Sequence, residues 1–264
     1  MHNSCLDVAI DVARDSGAVL AARFAAGVEA DSKGRFDVVT AADHEAERII
    51  LHRLASEYPS HAVVAEESGQ RFGSSSTHCW YVDPLDGTKN FARGYPAFAV
   101  SIAMERDGEL AVGVVFDPIR GELFAAERGA GASCNDRRIR VSAASQLDQC
   151  VIATGFPSAS RHACPDLRVL EHLAMSTQGL RRSGSSALDL AYVASARLDA
   201  FWDIGLRPWD VAAGRLLVIE AGGCCSDFRG RLLRLDGTEL LADNGAVHDL
   251  LVQAFADVLV LPIR

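Results

Sequence analysis

Apolar residues recur at helical spacing from residue 4 to 26 (Leu6, Ala9, Ile10, Ala13, Val19, Leu20), predicting a first helix that Gly27 can end. A second helix is predicted to start at Thr40. Its hydroxyl can cap free amides while Asp43, three residues on, returns a carboxylate to the cap; Ile49, Ile50 and Leu54 give an apolar face and Pro59 stops the helix. The pattern then shortens to strand-length apolar runs at 61 to 65, 79 to 83, 97 to 105, 109 to 116 and 122 to 126. Asp107-Gly108 and Pro118-Ile119-Arg120-Gly121 separate the last three as hairpin signals, so that part of the sheet is expected to be antiparallel.

Beyond residue 150 strands and helices alternate. Strand 150 to 154, helix 165 to 176, strand 178 to 182, helix 186 to 196 and strand 198 to 203 precede a helix over 208 to 221. Pro208 suits its first position, where no amide partner is needed. This order predicts a mixed α/β layering. No repeat, low-complexity tract or linker interrupts it, so residues 1–264 are expected to form one compact unit.

Composition changes this picture little. Hydrophobic residues make up 49% and charged residues 23%, as in ordinary globular proteins. A formal net charge of −9 argues against a general nucleic-acid or membrane-surface binder. The basic stretches Arg137-Arg138-Ile139-Arg140 and Arg229-Gly230-Arg231 lack interleaved aromatics and read as solvated loops. Asp7, Asp11, Arg14 and Asp15 break any signal-peptide core, and no apolar run approaches the ~20 residues of a membrane span, so a cytoplasmic location is expected. Seven scattered cysteines (Cys5, Cys79, Cys134, Cys150, Cys164, Cys224, Cys225), with no Cys-x-x-Cys pair, read as reduced thiols.

The candidate chemistry lies in Asp83-Pro84-Leu85-Asp86-Gly87-Thr88, directly after the apolar run 79 to 82. A strand ending in this turn would leave two carboxylates side by side at the sheet's edge. Crowded carboxylates repel one another, so a cation belongs between them, and oxygen-only ligands select Mg2+ or Mn2+ before Zn2+. Gly87 and Thr88 open a short helical stretch to Phe91, whose free amides suit a phosphate. Taken alone, Asp-x-x-Asp is common in solvated turns. Glu66-Glu67, after the strand-like Ala62-Val63-Val64-Ala65, and Asp210, in the first turn of the 208 helix, are further acids a metal site could recruit. Metal carboxylates abutting an anion-binding turn suit phosphoryl transfer.

Three segments together resemble the inositol monophosphatase family of Mg2+-dependent, lithium-sensitive phosphatases. They are Val64-Ala65-Glu66-Glu67-Ser68-Gly69, Trp80-Tyr81-Val82-Asp83-Pro84-Leu85-Asp86-Gly87-Thr88-Lys89-Asn90-Phe91, and Pro208-Trp209-Asp210-Val211-Ala212-Ala213-Gly214 continuing to Glu220-Ala221-Gly222-Gly223. The likeness extends through Arg181-Arg182-Ser183-Gly184-Ser185-Ser186-Ala187-Leu188-Asp189-Leu190-Ala191-Tyr192 and covers roughly residues 4 to 255. It implies a layered αβαβα sandwich, a homodimer, and two to three Mg2+ ions (or Mn2+) as cofactor. It also implies ligand roles. Glu66, Asp83 and the Leu85 carbonyl would hold one ion, Asp83, Asp86 and Asp210 a second, and Glu66 with waters a third. Thr88, oriented by Asp43, would help activate a water that attacks phosphorus directly, with Gly87 and Thr88 at the phosphate. Gly184, Ser185, Ser186, Asp203, Asp86 and Asp210 would hold the substrate's hydroxyls.

The substrate this resemblance implies is a small phosphorylated polyol, myo-inositol 1-phosphate first. Histidinol phosphate, fructose 1,6-bisphosphate and a 3′-phosphonucleotide are the alternatives from the same family, and a mainly non-catalytic partner of a transcription complex is the alternative from another class. Two positions depart from the inositol-specific pattern: Asp203 stands where Glu is usual, and Lys89 where Thr is commoner. The segment after Lys33 is one residue short, so Lys33 is given no metal-loop role.

Overall fold

The structure, a computed structural model, describes residues 4–27, 30–34, 37–69, 71–73, 75, 77–155 and 167–259, without the side chains of 30–34, 37–39, 71 and 72. The side chain of Lys33, Cys164, and the start of the helix expected from residue 165 therefore lie outside what is described.

Helix α1 (Cys5–Ala26) ends at Gly27 as expected. A hairpin of β1 (Ala30–Gly34) and β2 (Asp37–Thr40), which the polar sequence did not signal, leads into α2 (Ala41–Glu57). Thr40 caps α2, and Asp43 closes the reciprocal bond to the Thr40 amide at 2.8 Å. Such a cap is worth about 1 kcal/mol. Next come β3 (Ala62–Ala65), β4 (Arg71–Phe72), β5 (His78–Asp86), the short helix α3 (Thr88–Ala92), β6 (Ala99–Arg106), β7 (Glu109–Asp117), β8 (Glu122–Glu127), β9 (Gly131–Cys134) and β10 (Arg137–Arg138). The strands order as β10-β9-β8-β7-β6-β5-β3-β4 in one sheet. β5 to β10 form an antiparallel meander. Asp107 and Gly108 make the β6–β7 turn, both at positive φ (54° and 80°), as a tight two-residue hairpin demands.

The second half contains β11 (Val151–Thr154), α4 (Leu167–Ser176), β12 (Gly179–Arg181), α5 (Ser186–Ala194), β13 (Ala200–Ile204), α6 (Pro208–Glu220), β14 (Cys224–Ser226), β15 (Glu239–Asp243) and α7 (His248–Val258). Its five strands order as β12-β11-β13-β15-β14, with β11 parallel to both neighbours and β15 antiparallel to both of its own.

Three apolar clusters stack these elements. One lies between α1–α2 and the eight-stranded sheet (Val12, Leu20, Ile50, Leu54 against Trp80, Val82, Ile102, Val114). A second fills the space between the sheets, where α5 and α6 supply Leu188, Leu190, Leu216 and Leu217, and the sheets Val115, Phe124, Phe201 and Leu240. The third packs α4 and α7 on the outer face of the five-stranded sheet (Val169, Leu173, Leu251, Phe255 against Ile152, Trp202, Leu241). The layers therefore run helix, sheet, helix, sheet, helix: the αβαβα sandwich. Alternate residues of one strand face different clusters, as Ala200, Phe201 and Trp202 do, so strands covered on both faces read as continuous apolar runs.

One expectation needs correcting. β5 does not end at Asp83 but runs on to Asp86. Asp83 lies opposite Ser101 and Asp86 opposite Ala99, so three steps on β5 face two on β6. The extra residue is a bulge, which bends the strand locally and accommodates Pro84, whose missing amide would otherwise cost a ladder bond.

Candidate active site

Four carboxylates, two on β5 (Asp83, Asp86), one just after β3 (Glu66) and one on α6 (Asp210), come together at the C-terminal end of the parallel β3–β5 pair. Ala65 lies in register with Val82, so Glu66 leaves β3 beside the point where Asp83 sits on β5. The Glu66 amide donates to the Val82 carbonyl at 3.1 Å, and a side-chain hydrogen bond joins Asp83 to Glu66. The carboxyl of Asp83 also accepts from the Leu85 amide at 3.0 Å. Asp83 is buried. Burial pushes its pKa well above the usual carboxylate range, and Glu66, Asp86 and Asp210 add like-charge repulsion.

Asp86 is turned to the start of α5. Its Oδ2 accepts from Ser185 Oγ at 2.6 Å and from the Ala187 amide at 2.7 Å. Burial raises its pKa to about 6 against these bonds and one from the Ser186 amide. Ser185 also caps α5, its Oγ accepting from the Leu188 amide at 3.3 Å. Asp210 sits in the first turn of α6 and accepts from the Arg207 amide at 2.7 Å. It too is pushed well above the carboxylate range, first by burial, with Asp86, Glu66 and Asp203 adding repulsion.

Thr88 follows Gly87, which takes a left-handed conformation (φ 99°) to turn β5 into α3. The Thr88 hydroxyl lies 3.1 Å from Asp43 Oδ1 and 3.0 Å from the Leu85 carbonyl oxygen. Asp43 thus joins the start of α2 to this turn, and its own pKa is raised by burial against the bonds from Thr40 and Thr88.

Asp203, on β13, completes the far wall. It accepts from the Ile204 amide at 2.7 Å, and burial raises its pKa to about 7 against that bond and the attraction of Arg182. Gly184 is in the left-handed region (φ 86°) and packs against Asn90, whose Nδ2 and Oδ1 would lie 3.0 and 3.1 Å from any Cβ built there. The structure thus gathers Glu66, Asp83, Leu85, Asp86, Thr88, Asp43 and Asp210 around the β5 turn, with Ser185 and Ser186 held to Asp86. Asp203 stands further off, close enough to act electrostatically on Asp210.

Three residues that sequence reasoning did not single out belong to this neighbourhood. Asn90 Nδ2 donates to the Ala97 carbonyl at 2.7 Å and to the Ser183 carbonyl at 2.8 Å, tying α3 to the 183–186 loop. Asp189, buried on α5, has its pKa raised to about 8 by burial, opposed by a bond from Ser183 and supported by Asp86 and Asp203. Glu47, buried on α2, accepts from two amides of the turn after Glu66. An acid among Ala46 and Ile50 on an apolar helical face was the signal for Glu47; Asn90 and Asp189 carried none outside the resemblance.

The side chains fit a hard divalent cation by their chemistry. All donors are oxygens, and the groups bearing on Asp83 are themselves carboxylates, so their mutual repulsion is relieved only by positive charge. Among the described residues no group of three or more His, Cys, Asp or Glu side chains is already arranged as a metal cage. Asp86 and Asp210 accept from amides and a hydroxyl through their Oδ2 atoms.

A model of the inositol monophosphatase family matches residues 1–259. This chain belongs to the inositol monophosphatase family. It is 48% identical over 228 residues, 85% of each chain, to a protein of Salmonella typhimurium called Nus factor SuhB. It is 43% identical over 256 residues, 96% of each chain, to an inositol-1-monophosphatase of Mesorhizobium japonicum. The solved inositol monophosphatase of Anabaena (Nostoc) sp. PCC 7120 superposes with a TM-score of 0.87 at 41% identity, covering 98% of this chain and 96% of that one. Membership in the inositol monophosphatase family supports a phosphatase. Among the described residues no helix is long and apolar enough to cross a membrane.

Proposed function

We propose that this protein is a Mg2+-dependent phosphomonoesterase that hydrolyses myo-inositol 1-phosphate to inositol and phosphate. The observation carrying this reading is the meeting of Glu66, Asp83, Asp86 and Asp210, where neighbouring carboxylates add to burial in raising the pKa of Asp83 and of Asp210, beside a hydroxyl held by Asp43 and the Leu85 carbonyl.

Glu66, Asp83 and the Leu85 carbonyl would hold one ion, Asp83, Asp86 and Asp210 a second, and Glu66 a third. The ions would neutralise phosphate charge and lower the pKa of a bound water toward about 7. Asp43 takes the hydrogen bond of Thr88, which leaves the lone pairs of Thr88 Oγ1 to accept from the attacking water and aim it. Gly87, whose left-handed turn and missing Cβ let it pack against Ala97 and Phe98, would set the α3 amides toward the phosphate. Ser185, Ser186 and Gly184 shape the loop against which the polyol lies. Asp203, with a pKa near 7, donates to or accepts from a ring hydroxyl.

The test is kcat/KM for inositol 1-phosphate, histidinol phosphate, fructose 1,6-bisphosphate and a 3′-phosphonucleotide, with and without Mg2+, in wild type and Asp83→Asn. Inositol 1-phosphate is expected to lead, and Asp83→Asn to lose several kcal/mol of transition-state stabilisation, about 10³-fold or more. Another substrate leading by tenfold overturns the substrate; undiminished Asp83→Asn overturns the site. A second reading, as a partner in transcription complexes, is motivated by the name of the Salmonella relative. It gains if the wild type is inactive with Mg2+ on every phosphate tried.

A further inference from the structure

Helix α2 meets the site twice, one turn apart. Asp43 reaches Thr88, and Glu47, four residues later on the same face, reaches the other side of the site. Glu47 is 4% exposed. Its Oε2 accepts from the Glu67 amide at 2.8 Å and its Oε1 from the Ser68 amide at 2.9 Å. These two amides belong to the turn that leaves β3, and Glu66 is its first residue. On its other flank the Glu66 amide donates to the Val82 carbonyl, and a side-chain hydrogen bond joins Glu66 to Asp83.

We propose that Glu47 is a positioning residue for Glu66: its carboxylate clamps the 67–68 turn so that the Glu66 carboxylate stays beside Asp83. This rests on the metal-site reading given above. A carboxylate is suited to the task, because both oxygens are acceptors facing two N–H donors, and charge-assisted bonds of this kind are about twice as strong as neutral ones. Glutamine replaces one acceptor with an NH2 group that opposes an amide N–H. Aspartate keeps both acceptors but falls short by one methylene. Rigid spacing along α2 then fixes the separation between the hydroxyl aimed by Asp43 and the ligand held by Glu47.

The test is a calorimetric titration of the metal-stripped full-length protein with Mg2+, for wild type, Glu47→Gln, Glu47→Asp and Asp83→Asn, alongside amide hydrogen exchange at residues 67 and 68. Groups that orient a metal's ligands typically contribute 10- to 100-fold in affinity, so Glu47→Gln is expected to weaken Mg2+ binding by about that factor. Glu47→Asp should fall between it and wild type. Exchange at residues 67 and 68 should accelerate in both variants, while KM for substrate at saturating Mg2+ stays near wild type. Wild-type Mg2+ affinity in a folded Glu47→Gln overturns the proposal, as does a lowered Tm with unchanged affinity, which marks a merely structural role. Should Glu47→Gln fail to fold, Glu47→Asp decides by the same criteria. Lost binding in Asp83→Asn with unchanged Glu47→Gln overturns the clamp alone; unchanged binding in Asp83→Asn overturns the metal reading beneath it.

Discussion

The two sides of the site handle negative charge in opposite ways. On the β5 side, Glu66 and Asp83 face each other with Asp86 and Asp210 close by, and repulsion adds to burial in raising the Asp83 pKa. On the α5–β13 side, Asp203 and Asp189 are each eased by Arg182, and each carries its own hydrogen bond. The first arrangement crowds carboxyls against one another, so that a proton or a bound cation relieves their repulsion. The second holds carboxyls with pKa values near 7 and 8, protonated for much of the neutral range, which can donate hydrogen bonds as neutral acids do. Crowding alone therefore does not make a metal site; what else touches each carboxyl decides its task.

Substitutions can break this comparison. The largest effect is expected from Thr88→Val on the β5 side, which removes the hydroxyl between Asp43 and Leu85. Positioned proton acceptors contribute ~10²–10⁴-fold, so kcat should fall in that range while the Mg2+ dependence of the residual rate is retained. A parallel loss of metal affinity would mean that Thr88 serves the ions instead. A smaller, different effect is expected from Asp203→Asn on the far side. One hydrogen bond to a ring hydroxyl is worth about 1 kcal/mol, so KM should rise roughly fivefold with little change in kcat. A fall in kcat alone would place Asp203 in the chemistry.

A third effect is read in stability. Asp189 has a folded pKa of about 8, against 3.8 for an unperturbed aspartate. A raised folded pKa means that its contribution is fully present below pH 3.8 and is lost as pH rises through about 8. The Tm of wild type, measured in chelator, should therefore carry a decline across that window that Asp189→Asn removes. Equal slopes in the two proteins would show that Asp189 does not titrate there.

How much of this was legible follows from the kind of signal each part carries. The β6–β8 meander announced itself because hairpins are local and Asp107-Gly108 fits only a tight turn. The Thr40–Asp43 box located α2 to the residue. β14, β15 and α7 were missed: Cys224–Ser226 is too short to show a period, Glu239–Asp243 is covered on both faces and shows no alternation, and no side chain caps α7. The order β12-β11-β13-β15-β14 depends on contacts between distant segments that no local pattern encodes. In the site, Asp83, Asp86 and Thr88 stood out through close spacing, whereas Glu66 and Asp210 were candidates only by their places after a strand and in the first turn of a helix, and the resemblance gave them their roles. Pro84 argued against a strand past Asp83, and only the bulge opposite Ser101 and Ala99 reconciles the two.

The contact between Asn90 and Gly184 has a consequence for how such a chain drifts over generations. The Asn90 carboxamide bonds the nearby Ala97 carbonyl and also the Ser183 carbonyl, 93 residues from Asn90 in the chain, and the glycine leaves it room. Neither position is at liberty to change alone: a larger residue at 184 displaces the amide, and a lost amide leaves two carbonyls without their donor. Descendants of this sequence should therefore keep both letters or exchange both, a linked inheritance written by a gap of one methyl group.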